Sequence, residues 1–329
     1  MQDIYFEPNY GKLYEKMENG ISECFEYSNE HGSITNLFIK REIPIILDSE
    51  EKYYDITTPY GYGGPIINNV VKGKEAELVN GYKKAFMEFC LANNIVSEFI
   101  RFHPVIGNEI PFKVVYDVQY LRKTVGTNLK EFEEPFQEEF SKSARKNVRR
   151  SLREGVSYEI IENPDSIDEF LEIYYSTMDR NEADDYYYFD EEYFKKCLEL
   201  FPENILIVKA LYEEKTIAMG FYFIYDKYIH THLSGTLSEH LNLSPAYILR
   251  YALTEWGKEN GYHLIHHGGA TTNDENDSLL RFKKRFGQNT EFDFSIGRRI
   301  WNQKIYKQLC DAVNVEKESN FFPAYRLER

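Results

Sequence analysis

The sequence predicts an α/β protein of two domains, each a mixed central sheet flanked by helices. At 329 residues and 42% hydrophobic composition the chain can bury two cores, since domains run to roughly 100–200 residues. From Val156 onward the apolar pattern switches between strand and helix periods in the order β-α-α-β-β-β-α-β-α-β. The first half repeats the end of that order in weaker form, which points to an internal duplication.

The second half is taken first. Val156–Glu162 is rich in strand formers. Ser166-Ile-Asp-Glu169 reads as a capping box for a helix in which Ile167, Phe170, Leu171, Tyr174, Tyr175 and Met178 recur at helical spacing. A second helix over Asp190–Phe201 turns Phe194, Leu198 and Phe201 inward. Ile205–Leu211, Thr216–Tyr225 and Tyr228–Leu233 are strands whose short polar links make them antiparallel hairpins. Ser244-Pro245 opens a helix, with Ser as cap and Pro in the first position, and Gly261 closes it. Its buried stripe is Leu249, Ala252, Leu253 and Trp256. A strand at His263–His267, a helix at Asp277–Phe286, a strand at Glu291–Ile296 and a helix at Ile305–Val313 complete the order.

In the first half Ile34–Glu42 and Tyr53–Thr57 are strands. Lys74–Asn94 is a helix with Leu78, Tyr82, Ala85, Phe86 and Phe89 inward, followed by strands at Ile95–Phe102 and Phe112–Lys123. The halves join at Ser141–Glu154, which places the domains at 1–140 and 141–329. Ala144, Val148 and Leu152 give this joining helix an apolar stripe. Lys142, Arg145, Lys146, Arg149, Arg150 and Arg153 cover its other face with no acid among them.

The formal charge is −15, from 54 acidic and 39 basic residues, which excludes DNA and anionic membranes as partners for the whole surface. Cys24, Cys90, Cys197 and Cys310 show no paired spacing and read as reduced thiols in a cytoplasmic protein. The amino-terminal stretch has no signal-peptide pattern, and no apolar run approaches the ~18 residues of a membrane span. Aromatic residues reach 16%, through core packing or a tyrosine-lined cleft.

The strand and helix order from Val156 resembles that of the GNAT acyltransferases. The local wording is similar to the FemAB-like branch, relatives of the lipid II amino-acyl transferases. The stretches that carry this are Thr58-Pro-Tyr-Gly-Tyr-Gly-Gly-Pro65, Phe99-Ile-Arg-Phe-His-Pro104, the basic helix, His232-Leu-Ser-Gly-Thr236, His267-Gly-Gly269 and Asp277–Phe286. The resemblance implies two GNAT-like domains. It also implies transfer of an acyl or aminoacyl group to an amine or hydroxyl on a cell-wall or surface-polysaccharide precursor. Acetyl-CoA-dependent members hold the CoA pyrophosphate on a glycine-rich turn at a helix N-terminus. Here that place reads Thr236–Tyr247, without glycine and with Pro245. The donor is therefore an acyl-CoA held differently, or an aminoacyl-tRNA.

Candidate site residues follow. Arg145, Arg149 and Arg150 suit the phosphates of a lipid- or nucleotide-linked sugar, CoA or tRNA, because guanidinium forks match phosphate oxygens. His232 and His267, on strands expected to be neighbours, are either satisfied core histidines or a general base. The histidine spacing predicts no metal site. Asp277 is a second candidate base, and the resemblance raises Lys283 as the cation for a developing oxyanion. Tyr60 and Tyr62 lie on a Gly- and Pro-rich loop that is either a tight turn or a stacking surface. Asp184–Phe189 either binds an amine acceptor or is a solvated loop. The acceptor is expected between the domains, with the donor near His232–Gly235 and His266–Gly269. A binding module without catalysis is the competing class.

Overall fold

In the computed structural model, which describes residues 3–47, 51–181, 188–270, 272, 274, 277–314 and 321–327, the chain divides into two units. One is Met1–Leu121 with Asp293–Arg329, the other Arg122–Phe292. The first unit holds α1 (Pro8–Leu13), β1 (Gly20–Asn29), β2 (Gly32–Glu42), β3 (Tyr54–Thr57), β4 (Ile66–Val70), α2 (Glu75–Ala92), β5 (Ile95–Arg101), α3 (Glu109–Phe112) and the start of β6 (Asp117–Asn128). The second holds the rest of β6, α4 (Pro135–Glu138), α5 (Lys142–Arg153), β7 (Ser157–Glu162), α6 (Asp168–Arg180), α7 (Glu191–Leu200), β8 (Ile205–Tyr212), β9 (Lys215–Tyr225), β10 (Tyr228–Thr236), α8 (Pro245–Glu259), β11 (Leu264–Gly269), α9 (Ser278–Lys283) and the start of β12 (Glu291–Ile300). The rest of β12 and α10 (Gln303–Ala312) belong to the first unit.

Both units follow one plan. In the second, β7 to β10 form an antiparallel meander, α8 crosses over, and β11 returns parallel to β10. β6 then pairs antiparallel with β11. In the first, β1 to β3 are antiparallel, α2 crosses over, β5 returns parallel to β3, and β12 pairs antiparallel with β5. Apolar stripes on the crossover helices explain the arrangement, because a sheet with hydrophobic faces needs a helix to cover each. Leu78, Tyr82 and Phe86 of α2 pack with Ile34, Phe38, Ile56 and Ile100. Ile248, Leu249 and Leu253 of α8, with Val148 of α5, pack with Leu206, Val208 and Tyr222.

The other face of the second sheet carries α6 and α7 through Phe170, Tyr174, Phe194 and Phe221. Helix α6 sits so close to β10 that a Cβ on Gly235 would lie 2.6 Å from the Ile173 carbonyl oxygen and 2.9 Å from Tyr174 Cα. Gly235→Ala must push the helix off the strand, and is expected to destabilise the fold by about 2 kcal/mol in urea unfolding.

Several expectations are corrected. The domain boundary moves from 140/141, and residues after 292 leave the second domain. The cause is pairing between distant strands: Thr124–Asn128 pair with β11, and Ile296–Ile300 pair with β5. The strand expected at Phe112–Lys123 begins only at Asp117. Turn hydrogen bonds from Val115 and Tyr116 to the Phe112 carbonyl coil that stretch and bury Phe112, Val115 and Tyr116 in the α2 core. Strand β1 went unanticipated because it lies at a sheet edge and none of its residues is buried. Ser244 stands at the N-cap position, but its side chain does not cap: the residue is left-handed at φ 54°, and its hydroxyl accepts from Arg150. The capping box at Ser166 does not form, because Glu169 pairs with Lys209. On α5, Ser151 replaces Leu152 as the third buried position, donating to the Leu243 carbonyl.

Candidate active site

The second unit brings several of the expected residues together where β10 and β11 part. The two strands pair only from Tyr228/Leu264 to His230/His266. Each then carries a bulge whose extra residue has no cross-strand partner, His232 on β10 and His267 on β11. Bulges re-aim side chains, and here both affect histidines that the sequence marked.

His267 is buried, and its Nε2 lies 2.8 Å from Thr127 Oγ1. The Thr127 hydroxyl has one hydrogen, which it donates to the Phe286 carbonyl at 2.6 Å. It must therefore accept from His267, which assigns the ring proton to Nε2 and leaves a lone pair on Nδ1. That buried Nδ1 has no partner among the described residues. Burial first, then the charges of Arg250 and Lys283 and the His266 ring, hold the imidazole pKa well below its ordinary value.

His232 lies among Phe189, Tyr193, Phe221 and Phe223, with Nε2 2.7 Å from the Tyr193 hydroxyl. Burial, with help from His230, pushes its pKa down to about 3. An imidazole whose conjugate acid is that strong is a poor general base near neutrality. Asp277 is the N-cap of α9: one oxygen accepts from Leu280 N at 2.9 Å, the other from Thr272 N at 3.2 Å and Thr272 Oγ1 at 3.1 Å. Its oxygens are occupied in shaping the turn.

Lys283, on the last turn of α9, donates from Nζ to the Gly269 carbonyl at 2.7 Å. Its pKa is pushed down to about 7, mainly by burial and then by Arg250 and Arg122, with Asp277 opposing. Those two arginines escaped the sequence reading. Arg250 is nearly buried on α8, donating to the Tyr222 hydroxyl at 3.4 Å with its guanidinium 5.8 Å from that ring. Arg122 donates to the Ala270 and Thr272 carbonyls, and its buried Nε has no partner among the described residues. A signal existed for Arg250, which shares the i, i+3, i+7 face of Tyr247 and Thr254, all three buried. Nothing in the sequence singles out Arg122. Arg122, Arg250 and Lys283 thus form a cationic cluster suited to an oxyanion.

The basic helix is used differently. Arg145 donates to the Gln137 and Phe140 carbonyls. Arg150 donates to the Asn242 carbonyl at 3.0 Å and to Ser244 Oγ at 2.9 Å. Arg149, exposed, reaches Gln137 Oε1 at 3.2 Å and lies over Phe136. Arg145 and Arg150 therefore clamp α5 to its neighbours. The turn before α8 turns the Asn242 and Leu243 carbonyls to Arg150 and Ser151, Tyr247 N–H is bonded to Ser244, and Pro245 has no N–H. A pyrophosphate needs donors, so this turn does not fit CoA in the usual GNAT manner.

Within the first unit the Thr58–Pro65 loop is the tight turn, with Gly61 and Gly64 at φ 90° and 85°. Tyr62 is buried against Tyr5, His103 and Phe294, and Tyr60 stacks on Tyr14. Of the Asp184–Phe189 segment, residues 184–187 lie outside the described residues; Tyr188 donates to Asp179, and Phe189 is buried. Among the described residues no helix is long and apolar enough to cross a membrane.

Residues 139–284 match the family model described as an acetyltransferase (GNAT) domain. No curated protein matches the sequence. Among solved structures the chain is similar to FemX, with a TM-score of 0.71 at 12% identity over 93% of this chain and 94% of that one. It is also similar to the C-terminal domain of a putative lysylphosphatidylglycerol synthetase from Agrobacterium fabrum, with a TM-score of 0.57 at 12% identity over 94% and 92%. L-PGS from Bacillus licheniformis gives 0.54 at 14% identity over 95% and 96%. With its α/β sheets and its parted β10 and β11, the chain has a FemX-like fold, and the match of residues 139–284 to an acetyltransferase (GNAT) domain marks it as an enzyme.

Proposed function

We propose that the second unit transfers an acyl or aminoacyl group directly to an amine or hydroxyl, with Lys283 stabilising the oxyanion formed at the donor carbonyl. The cationic cluster of Lys283, Arg250 and Arg122 carries this reading, because Asp277, the acid that opposes it among the described residues, is already bonded within its own turn. The acceptor lone pair bonds to the carbonyl carbon, and the π pair moves to oxygen, where the Lys283 ammonium donates a hydrogen bond. Collapse breaks the bond to the leaving oxygen or sulfur, which takes up the proton lost by the acceptor through solvent. His267 Nδ1 can accept a hydrogen bond from the acceptor and orient it, but its lowered basicity makes it a poor proton store.

The acceptor in this reading is a cell-wall or surface-polysaccharide precursor carrying phosphate, for which exposed Arg149 is the remaining contact on α5. The turn before α8 favours an aminoacyl-tRNA donor over CoA, and the lysyl group in the name of the Agrobacterium relative supports that choice. The test is label transfer to an amine-bearing precursor from aminoacyl-tRNA and from acetyl-CoA across pH. Protonated Lys283 is the working form, so wild-type kcat/KM, corrected for acceptor ionisation, should fall about tenfold per pH unit above about 7. In Lys283→Arg the charge persists and this fall should vanish. No transfer from either donor, with acceptor binding intact, would instead make the protein a binding module.

A further inference from the structure

The second unit holds a cavity of about 410 Å³ where the stretch entering α4, the middle of α5 and the C-terminal half of α8 meet. The sequence of α8 explains one wall. Its core face carries Ile248, Leu249, Ala252 and Leu253, and beside them Tyr251, Glu255 and Glu259 follow one another at i, i+4 and i+8. These last three line the cavity, with Val148 and Leu152 of α5 and Phe136 of α4. Leu152 belongs to the apolar stripe of α5, yet 37% of it is exposed, because Ser151 takes the buried position. Phe136 meets Tyr251 edge-on with ring centroids 4.8 Å apart, and Tyr158 of β7 meets Tyr251 at 6.1 Å. Apolar and aromatic surface is thus gathered here without being covered.

The charge of the cavity names its ligand. Glu133 and Glu134 line it together with Glu255 and Glu259. Among the described residues none of these four carboxylates makes an ion pair or a side-chain hydrogen bond. The two cations in the lining are engaged elsewhere: Lys258 donates to the Leu129 and Phe132 carbonyls at 2.8 and 2.7 Å, and Arg149 reaches Gln137 and lies over Phe136. Even with both counted at full charge, four carboxylates exceed two cations. Glu255 and Glu259, one turn apart, repel each other, and both stand near the C-terminus of α8, where the helix dipole disfavours an acid. Burial first, then the charges of Glu259 and Glu134, raises the half-buried Glu255 carboxyl above its ordinary value, so acids of α8 and of the stretch before α4 act on one group. A cation seated there relieves all of these interactions at once. Among the described residues the four acids do not bring ligand atoms together as a metal site does, which favours an organic cation over a metal ion. Aromatic rings attract such cations, and the leucine and valine surface suits a hydrocarbon chain behind the charge. The volume falls within the roughly 300–1,000 Å³ typical of small-ligand sites.

We propose that this cavity binds a small aliphatic amine, one or more ammonium groups on a hydrocarbon chain. Glu134, Glu255 and Glu259 hold the ammonium, and Val148, Leu152 and Tyr251 hold the chain. The site stands on its own residues and does not depend on the transferase reading.

The experiment is titration calorimetry of the whole protein at pH 8 with hexylamine, hexamethylenediamine, hexanol and ammonium chloride. One of the two amines should bind at one site per chain, at least tenfold tighter than the neutral alcohol or the bare ammonium ion. The tighter of them tells whether one ammonium group or two are held. Glu255→Gln and Glu259→Gln should each weaken that binding at least fivefold. Both changes relieve repulsion along α8, so neither should lower stability in urea unfolding, which keeps loss of binding distinct from loss of fold. Leu152→Ser, at a partly exposed position, should weaken binding about threefold. The proposal fails if neither amine binds at 10 mM, or if hexanol binds as tightly as the amines. It fails equally if both glutamate variants bind as well as wild type, since the amine would then sit elsewhere, the acceptor position beside His267 included.

Discussion

Lys283→Met is expected to lower transfer by about two to three orders of magnitude while making the protein more stable at neutral pH. The loss follows from removing a preorganised charge from the oxyanion position. The gain follows from linkage. Lys283 in the folded chain has its pKa near 7, against 10.5 ordinarily. Between those values the unfolded chain holds a proton that the folded chain has released, so stability rises with pH across that window. Below about 7 the folded protein bears the whole penalty of the buried, like-charged ammonium. Methionine keeps the length of the side chain and removes the charge. Because Lys283 is partly open to solvent and loses its bond to Gly269, the net gain should be on the order of 2 kcal/mol at pH 6. It should shrink steadily from pH 7 and be gone above about 10.5. Urea unfolding of both proteins at several pH values reads this directly. A destabilised variant at pH 6 would remove the basis for assigning Lys283 an electrostatically strained position, and unchanged transfer would remove its role.

Glu139→Leu is expected to cost about 3–5 kcal/mol of stability. Glu139 is completely buried in the second unit. One oxygen accepts from Asn128 N at 3.1 Å and from the Thr290 hydroxyl, the other from Asn289 N at 2.9 Å. Its side chain thus ties the stretch between α4 and α5 to the end of β6 and to the loop entering β12. Leucine fills the volume but leaves three donors without acceptors, the Thr290 hydroxyl buried and the Asn128 and Asn289 amides partly so, each worth up to about 1–3 kcal/mol. Glu139→Gln retains an acceptor oxygen and the shape, and should lose less than half as much. Equal losses in both variants would mean that charge, and not the count of acceptors, governs the site.

The contrast between these two residues shows what a sequence displays. Lys283 stands in a stretch, Phe-Lys-Lys-Arg-Phe, that resemblance alone brought forward. Glu139 looks like any acid in an acidic linker, and its role exists only because Asn128 and Asn289, 11 and 150 positions away, converge on it. Arg250 lies between them: its buried helix face could be read from spacing, but its nearness to Lys283 could not. The basic helix is the opposite case. Its stripe of cations was legible, but not that two of its three candidate phosphate ligands, Arg145 and Arg150, donate to carbonyls of α4, the joining stretch and the turn before α8.

By itself the sequence determined the α/β class, the order of elements from Val156, the amphipathic helix at 142–153 and the lack of a glycine cradle before α8. These depend on side-chain periodicity and on residues close in the chain, which local sterics and apolar spacing dictate. Only the tertiary structure decided that residues after 292 join the first unit, that His232 and His267 are bulge residues, and that Lys283 sits in a cationic cluster. Strand register, burial and the sum of charges around a group arise from contacts between separate elements of the fold, and no local pattern encodes them.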